Sequence, residues 1–193
     1  ATASYDMTVK LWQVATGSVV RTFRGHSKPV YGLVFTADGK HIISAGDDKT
    51  ARVWDVASGT LVHTRSLSAE GCAVALSAAG ELLAVGCSNV MVTLFDVAKD
   101  YTPLSVFRAH DVGYAAWFRL CFSPVAGSTL LVTCCSGKKD ASLWDLSNTS
   151  ITDGTGAFCI PQPVALLRGH TDCILDARFS GDGALIATAS GDK

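Results

Sequence analysis

The sequence predicts an all-β protein made of repeated units, each with about four short antiparallel strands. A run centred on an aromatic residue recurs at 9–14 (VKLWQV), 51–56 (ARVWDV), 92–97 (VTLFDV) and 141–146 (ASLWDL). A turn followed by an apolar run recurs at 35–40 (FTADGK), 76–81 (LSAAGE) and 179–184 (FSGDGA). No segment sustains the 3.6-residue apolar spacing of an amphipathic helix. Because so small a sheet cannot bury both faces alone, we expect the units to stack around an axis as propeller blades.

Within the unit at 25–66 the strands can be followed one by one. Residues 30–35 are mostly apolar and lead toward Asp38-Gly39, a dipeptide typical of tight hairpin turns. Ile42-Ile43 indicates the second strand, and residues 50–55 alternate as a half-buried third strand does. The spacing leaves room for a fourth, outer strand before the next unit begins.

Length and composition exclude several classes of protein. The chain has 193 residues, of which 48% are hydrophobic, and a formal net charge of −1. That is enough apolar material for a core, and it lacks the basic excess of a dedicated nucleic-acid-binding domain. The most apolar stretch, 71–95, contains Glu81 and several glycines. It therefore predicts no transmembrane helix, and membrane insertion is not expected.

The cysteines indicate a reducing compartment. Seven occur without regular spacing, and none forms a Cys-x-x-Cys pair. We expect reduced, mostly buried thiols in an intracellular protein, cytoplasmic or nuclear, with no metal and no cofactor. The adjacent Cys134 and Cys135 are expected on opposite faces of one strand.

Three dipeptides recur at matching places in the units. They are Gly-His at 25–26 and 169–170, Trp-Asp at 54–55 and 144–145, and Asp-Gly at 38–39 and 182–183. With their spacing, these residues resemble the WD-repeat family of β-propellers over nearly the whole chain. The resemblance implies a propeller, commonly of seven blades, of which about four are covered here; a closed ring of four blades is the alternative. The expected units are 1–24, 25–66, 67–108, 109–168 and 169–193, with partial blades at both ends and an inserted loop at 147–163.

The resemblance also implies a structural tetrad of hydrogen-bonded side chains in each blade. Residues matching it are His26, Ser44, Asp48 and Trp54 in the second unit, Thr2, Asp6 and Trp12 in the first, and His170, Thr188 and Asp192 in the last. In the third unit the equivalent places hold Leu67, Val85, Asn89 and Phe95. In the fourth, His110 and Trp144 remain, while Cys134 and Lys138 are expected to replace the hydroxyl and the acid. These two units are expected to depend more on packing.

His26, Ser44 and Asp48 are also the ingredients of a hydrolase triad. No Gly-x-Ser-x-Gly elbow occurs, and no glycine-rich strand-to-helix turn could supply an oxyanion hole. The pattern therefore favours a structural role, and no catalytic residue is predicted.

The predicted function is a non-catalytic scaffold within a multiprotein complex, which presents loops of a propeller face to protein or peptide partners. Counting along the innermost strands gives candidate partner-binding residues Lys28, Tyr31, Tyr114, Phe118, Arg119 and Asp172. The count places Val30, Trp117 and Ile174 inward.

Two alternatives stay open. One is an RNA- or ribonucleoprotein-associated propeller that uses a basic rim of Arg21, Arg24 and Lys28, reaching nucleic acid through a complex. The other is an accessory propeller of a larger enzyme. A ubiquitin-ligase receptor is a further family option, but the Trp-Asp-x-Arg ending of adaptor-binding members is missing after Trp54-Asp55 and Trp144-Asp145.

Overall fold

The computed structural model describes residues 1–147 and 161–192, and every regular element in these residues is a β-strand. The strands are β1 Thr2–Ala3, β2 Thr8–Trp12, β3 Val19–Arg24, β4 Val30–Phe35, β5 His41–Gly46, β6 Thr50–Asp55, β7 Leu61–Ser66, β8 Gly71–Leu76, β9 Leu82–Cys87, β10 Met91–Asp96, β11 Thr102–Arg108, β12 Phe118–Phe122, β13 Leu130–Cys135, β14 Ala141–Asp145, β15 Pro163–Leu167, β16 Ile174–Phe179 and β17 Ile186–Ser190. Among the described residues there is no helix that could cross a membrane. Most of the predicted inserted loop lies outside the described residues.

The strands form five antiparallel sheets in chain order. Sheet 1 is β1-β2-β3, sheet 2 is β4-β5-β6-β7, sheet 3 is β8-β9-β10-β11, sheet 4 is β12-β13-β14-β15 and sheet 5 is β16-β17. Neighbouring sheets contact each other mainly through their first strands, as β4 does with β8, β8 with β12 and β12 with β16. The first strands therefore lie together on the inside, and the fourth strands lie at the periphery. The all-β prediction is confirmed, and these sheets are blades of a partial propeller.

The core lies between the sheets, so the second strands of sheets 2, 3 and 4 are buried on both faces. Cys134 and Cys135 illustrate this at the end of β13. Cys134 packs against Ile174 and Ala177 of the next sheet, whereas Cys135 packs in the cluster that contains Phe118. The prediction that the two thiols face opposite sides is confirmed, and both are unbonded to other sulfurs.

Outer-strand arginines tie neighbouring sheets together at the periphery. The Arg21 guanidinium on β3 donates to the carbonyls of Ala57 and Ser58, each at 2.7 Å, in the turn between β6 and β7. Arg65 on β7 makes the equivalent reach, donating to the carbonyls of Asp100 and Tyr101 in the turn between β10 and β11. Charge-assisted bonds of this kind satisfy turn carbonyls that no strand pairs.

Gly86 on β9 tests how closely the sheets pack. A Cβ at this position would overlap the buried ring of Phe118 and would approach Cδ2 of Leu120 to 2.9 Å. We expect Gly86→Ala to lower the free energy of unfolding by about 1–3 kcal/mol, because an overpacked core must shift. Gly113→Ala is the control, since nothing lies within 4 Å of a Cβ there. Equal urea midpoints for the two variants would contradict this account of the interface.

Candidate functional site: the buried tetrads and the inner-face pocket

A chain of hydrogen bonds crosses the buried interior of sheet 2. Trp54 Nε1–H donates to the Ser44 hydroxyl at 2.8 Å. That hydroxyl lies 2.8 Å from Nε2 of His26, and Nδ1 of His26 lies 2.8 Å from the Asp48 carboxylate. Since the hydroxyl already accepts from the indole, its proton is assigned to the bond with Nε2, and the imidazole proton to Nδ1. Polar groups of two strands, one loop and one turn satisfy one another in this way.

The tetrad acid also orders the backbone around it. Asp48 accepts from the N–H of Ser27 at 3.1 Å and from the N–H and hydroxyl of Thr50 at 3.2 and 2.7 Å. Burial alone would raise the pKa of Asp48, but the bonds from Thr50, His26 and Ser27 hold it below its ordinary 3.8. Burial lowers the pKa of His26. The pair therefore consists of an ionised carboxylate and a neutral imidazole at pH 7.

Sheets 1 and 5 contain parts of the same arrangement. In sheet 5, Nδ1 of His170 lies 2.9 Å from Asp192, and Nε2 lies 2.9 Å from the Thr188 hydroxyl. In sheet 1, Trp12 Nε1–H donates to the Thr2 hydroxyl at 2.8 Å. Asp6 there accepts from the N–H of Thr8, as Asp48 does from Thr50.

Sheet 3 replaces the polar interior by apolar packing. Val85 and Phe95 are buried in one cluster, and Leu67 packs against it. Asn89 keeps one task of the acid, because its side-chain oxygen accepts from the N–H of Met91 at 3.3 Å.

Sheet 4 corrects one prediction from the sequence. The hydroxyl is Thr133, which accepts from Trp144 Nε1–H at 2.9 Å and lies 3.1 Å from Nε2 of His110. Cys134 was expected in this place and points instead to the other face of the sheet. Trp144 lies eleven residues after Thr133, whereas Trp54 lies ten after Ser44. A count backwards from the tryptophan therefore arrives one residue too late.

A second feature lies where the first strands begin. There a pocket of about 260 Å³, the inner-face pocket, is lined by Tyr5, Tyr31, Asp47, Glu70, Cys72, Ser88, Tyr114, Ala116, Trp117 and Arg119. Tyr31, Cys72 and Arg119 are the second residues of β4, β8 and β12. Asp47 and Ser88 directly follow β5 and β9. The pocket is thus built where the first strands of successive sheets begin and their second strands end.

Three tyrosines of this pocket are exposed to solvent. Tyr5, Tyr31 and Tyr114 are 75%, 42% and 67% exposed. The rings of Tyr5 and Tyr31 meet edge to face, with centroids 5.6 Å apart. Trp117 lines the same pocket, and its buried indole N–H has no hydrogen-bond partner among the described residues.

Burial and hydrogen bonding shift the pKa values of three groups in the inner-face pocket. Burial first, then the hydroxyl of Tyr5 and the carboxylate of Asp47, raise the pKa of Tyr31 to about 12. Burial raises the pKa of the Cys72 thiol to about 12 as well. A hydrogen bond from Ser88 lowers the pKa of Glu70. At pH 7 the Tyr31 hydroxyl and the Cys72 thiol are therefore neutral, beside the Glu70 carboxylate and the Arg119 guanidinium.

The predicted partner-binding residues divide into three groups. Tyr31, Tyr114 and Arg119 line the inner-face pocket. Lys28 and Asp172 are exposed but lie outside its lining. Phe118 was expected at this surface and is wrong, because its side chain is 0% exposed.

A bulge explains the error at Phe118. In β4 an extra residue, Tyr31, lies between Val30 and Gly32 in the pairing with β5. β12 pairs with β13 without such a shift. In β4 the inward residue Val30 lies five residues before Phe35. The same count back from Phe122 in β12 crosses no bulge, so it overshoots by one and places Trp117 inward where Phe118 lies. Trp117 was missed as a pocket residue for this reason. Tyr5 was missed because no sequence pattern marks the β1–β2 turn.

Comparison with known proteins agrees with the fold. The sequence matches the family described as WD domain, G-beta repeat at residues 17–55 and 161–193. Nuclear distribution protein PAC1-2 of Uncinocarpus reesii is 32% identical over 164 residues, 75% of this chain and 35% of that protein. The chain belongs to the WD-repeat family.

Two further relatives match over nearly the whole chain. U3 small nucleolar RNA-associated protein 15 homolog of Xenopus tropicalis is 28% identical over 97% of this chain and 33% of its own length. DDB1- and CUL4-associated factor 13 of Dictyostelium discoideum is 25% identical over 100% of this chain and 50% of its own length. The chain thus spans half or less of the length of these relatives.

The tetrad of this WD-repeat protein can be tested with two neighbouring acids. Asp48→Ala removes the acceptor of His26, Ser27 and Thr50, and we expect it to lower the free energy of unfolding by about 1–3 kcal/mol, the usual cost of unpaired buried donors. Asp47→Ala, one residue earlier, should cost much less. Equal thermal midpoints for the two variants would contradict a stabilising role for the tetrad.

Acid should destabilise the protein through His110. Burial lowers the pKa of His110 from 6.5 to about 4, so the unfolded chain binds a proton that the folded state does not. The contribution of His110 to the free energy of unfolding is therefore full above pH 6.5. It decreases as the pH is lowered, by about 3 kcal/mol at pH 4. His110→Gln should flatten the pH dependence of the urea-unfolding free energy between pH 7 and 4. His63→Gln, on the outer strand β7, is the control and should keep the wild-type slope; an unchanged slope in H110Q would refute the assignment.

Proposed function

We propose that the protein is a non-catalytic scaffold that binds a segment of a partner protein in the inner-face pocket. The observation that carries the proposal is the convergence of exposed Tyr5, Tyr31 and Tyr114 with Arg119 in one concave surface. Tyrosine and arginine are enriched at binding hot spots, and contiguous exposed aromatics on a soluble protein mark interaction sites.

The pocket is well suited to binding because strands hold its residues. Tyr31 and Arg119 lie near the starts of paired strands, so little conformational freedom is lost when a partner binds. The Asp48 carboxylate fixes the adjacent loop and turn on either side, through Ser27 and Thr50. A buried structural tetrad next to an exposed aromatic pocket fits a scaffold in which one part supports and the other binds.

The names of the relatives support a role within protein complexes. DDB1- and CUL4-associated factor 13 is named for its association with two proteins, and PAC1-2 for nuclear distribution. We extend to this chain only the class of partner, proteins or peptides, and an intracellular setting in cytoplasm or nucleus.

An RNA-associated role is the second candidate, favoured by the resemblance to a U3 small nucleolar RNA-associated protein. Its structural support is weaker. Arg21 of the predicted basic rim is engaged with Ala57 and Ser58, which leaves Arg24 and Lys28 as the exposed cations of that rim. Two exposed cations supply little of the phosphate neutralisation that RNA retention needs.

The proposed site is tested with the full-length protein and a partner identified by co-purification. Tyr31→Ala combined with Arg119→Ala should weaken binding at least about tenfold, a loss of about 1.4 kcal/mol. The control combines Val14→Ala and Lys40→Ala, exposed residues of turns at the opposite ends of the strands. Isothermal titration of both variants measures the effect. Unchanged affinity in the pocket variant would move the site to the outer rim or to loop 147–163.

The salt dependence of RNA retention separates the two candidates. A protein-binding scaffold should retain little RNA and show a slope of log affinity against log salt near zero. Phosphate contacts would give a steep negative slope, of about −0.7 per contact on single strands. A steep slope that disappears in an Arg24→Ala and Lys28→Ala variant would favour the RNA role.

A further inference from the structure

A larger cavity lies away from the inner-face pocket, between sheets 3 and 4. It has a volume of about 520 Å³, and its walls include Phe107, Arg108, His110, Lys138, Ser142 and Trp144. His110 belongs to the hydrogen-bond chain of sheet 4, so the cavity opens beside a polar side chain that is only 6% exposed.

The other histidines of this kind hold a carboxylate on Nδ1. His26 has Asp48 at 2.8 Å, and His170 has Asp192 at 2.9 Å. The same carboxylates also accept from the backbone N–H of the residue that follows each histidine. This residue is Ser27 in sheet 2, at 3.1 Å, and Thr171 in sheet 5, at 2.7 Å. Nδ1 of the histidine and the next backbone N–H therefore bind one carboxylate together in sheets 2 and 5.

Sheet 4 lacks that acid. Asp48 lies four residues after Ser44 and six before Trp54. The corresponding positions in sheet 4 are Gly137, four residues after Thr133, and Lys138, six before Trp144, and neither is an acid. His110 is bonded at Nε2 to Thr133, whose hydroxyl accepts from the indole of Trp144. By the same reasoning as in sheet 2, the imidazole proton lies on Nδ1. In the described part of the chain the hydrogen bond of His110 is with Thr133 alone.

A second replacement makes the space. In sheet 2, Arg52 pairs with Ser44 across the ladder, and its guanidinium lies 3.6 Å from Asp48. In sheet 4 the residue in that register is Ser142, opposite Thr133. Loss of the long guanidinium side chain together with the acid leaves a cavity where sheet 2 has an ion pair.

We propose that this cavity binds a carboxylate from outside the chain, in the place that Asp48 occupies in sheet 2. The carboxylate accepts from Nδ1–H of His110 and from the backbone N–H of Asp111, and pairs with the Lys138 ammonium. Val106 and Leu166, both partly exposed and in the cavity wall, contact the aliphatic part of the ligand. An aspartate or glutamate of a partner peptide and a small organic acid share this chemistry.

The charges facing the cavity are balanced. Arg108 and Lys138 are cationic, and Asp111 and Asp140 are anionic. Lys138 lowers the pKa of His110 and Asp140 opposes it, so both lie close to the ring. The burial that keeps His110 neutral at pH 7 makes Nδ1–H a neutral donor, and Lys138 supplies the charge that a carboxylate requires.

One substitution fills the site with the chain's own carboxylate. In the full-length protein, Lys138→Asp should raise the thermal midpoint by about 2–4 °C, because the donor of His110 gains an acceptor. Lys139→Asp, which reverses the adjacent exposed charge, should not raise it. A midpoint for K138D at or below that of K139D would overturn the proposal.

Binding is measured with propionate as the probe. In the ¹⁵N-labelled full-length protein, the His110 imidazole signal, assigned with His110→Gln, should shift saturably with sodium propionate and not with equal sodium chloride. Lys138→Asp should raise the half-saturating concentration at least tenfold, and Lys139→Asp should leave it unchanged. Absence of a saturable shift in the wild type would overturn the proposal.

A peptide selection identifies the source of the carboxylate. Random peptides selected on the wild type and counter-selected on K138D should be enriched in aspartate or glutamate if a partner protein supplies the group. Saturable propionate binding without such enrichment would assign the site to a small organic acid. Enriched peptides without acids, together with no propionate shift, would refute both sources.

Discussion

The burial of the second strands of sheets 2, 3 and 4 on both faces is the constraint on which the rest of the structure depends. A sheet that stands between two others has no solvent beside its middle strands, so a polar side chain placed there must find partners inside the protein. Ser44 and Thr133 satisfy this requirement in the same way, as acceptors of an indole N–H and neighbours of an imidazole. The indole and imidazole in turn fill volume between the sheets. The hydrogen-bonded side chains therefore contribute to the packing between the sheets although they are polar.

The inner-face pocket depends on the same constraint. The tetrad acid of sheet 2 binds the loop that leads into β4 and the turn that follows β5. Tyr31 lies just beyond that loop, and Asp47 lies in that turn. The bulge in β4 then turns Tyr31 out of the strand alternation and toward the pocket. The buried polar network thereby sets the position of an exposed aromatic side chain a few residues away.

Much of this architecture could be predicted from the sequence, because it follows from residue types that recur at fixed spacing. The strand pattern and the stacking of the units could be expected from one unit read against another, and the pairing of His26 with Ser44 and Asp48 from the resemblance to the WD-repeat family. The errors arose where a single residue is added or lost. Because the β13–β14 connection is one residue longer, the count reached Cys134 instead of Thr133. Because β12 has no bulge, the count placed Trp117 inward instead of Phe118. Such shifts reverse the face of every following residue, and composition carries no sign of them.

The two units that depart from the tetrad pattern differ in what they leave behind. Sheet 3 exchanges the imidazole, hydroxyl and indole for Leu67, Val85 and Phe95, so no donor is left without an acceptor. Replacing all partners by apolar groups costs little, whereas removing one partner leaves the other unpaired. Sheet 4 retains His110, Thr133 and Trp144 but has Gly137 and Lys138 where the acid would lie. Divergence of the repeat thus has two different results. In sheet 3 the tetrad positions hold apolar side chains that pack, whereas in sheet 4 the imidazole donor lies beside a cavity without its acid. A donor of this kind is the physical starting point for a binding site.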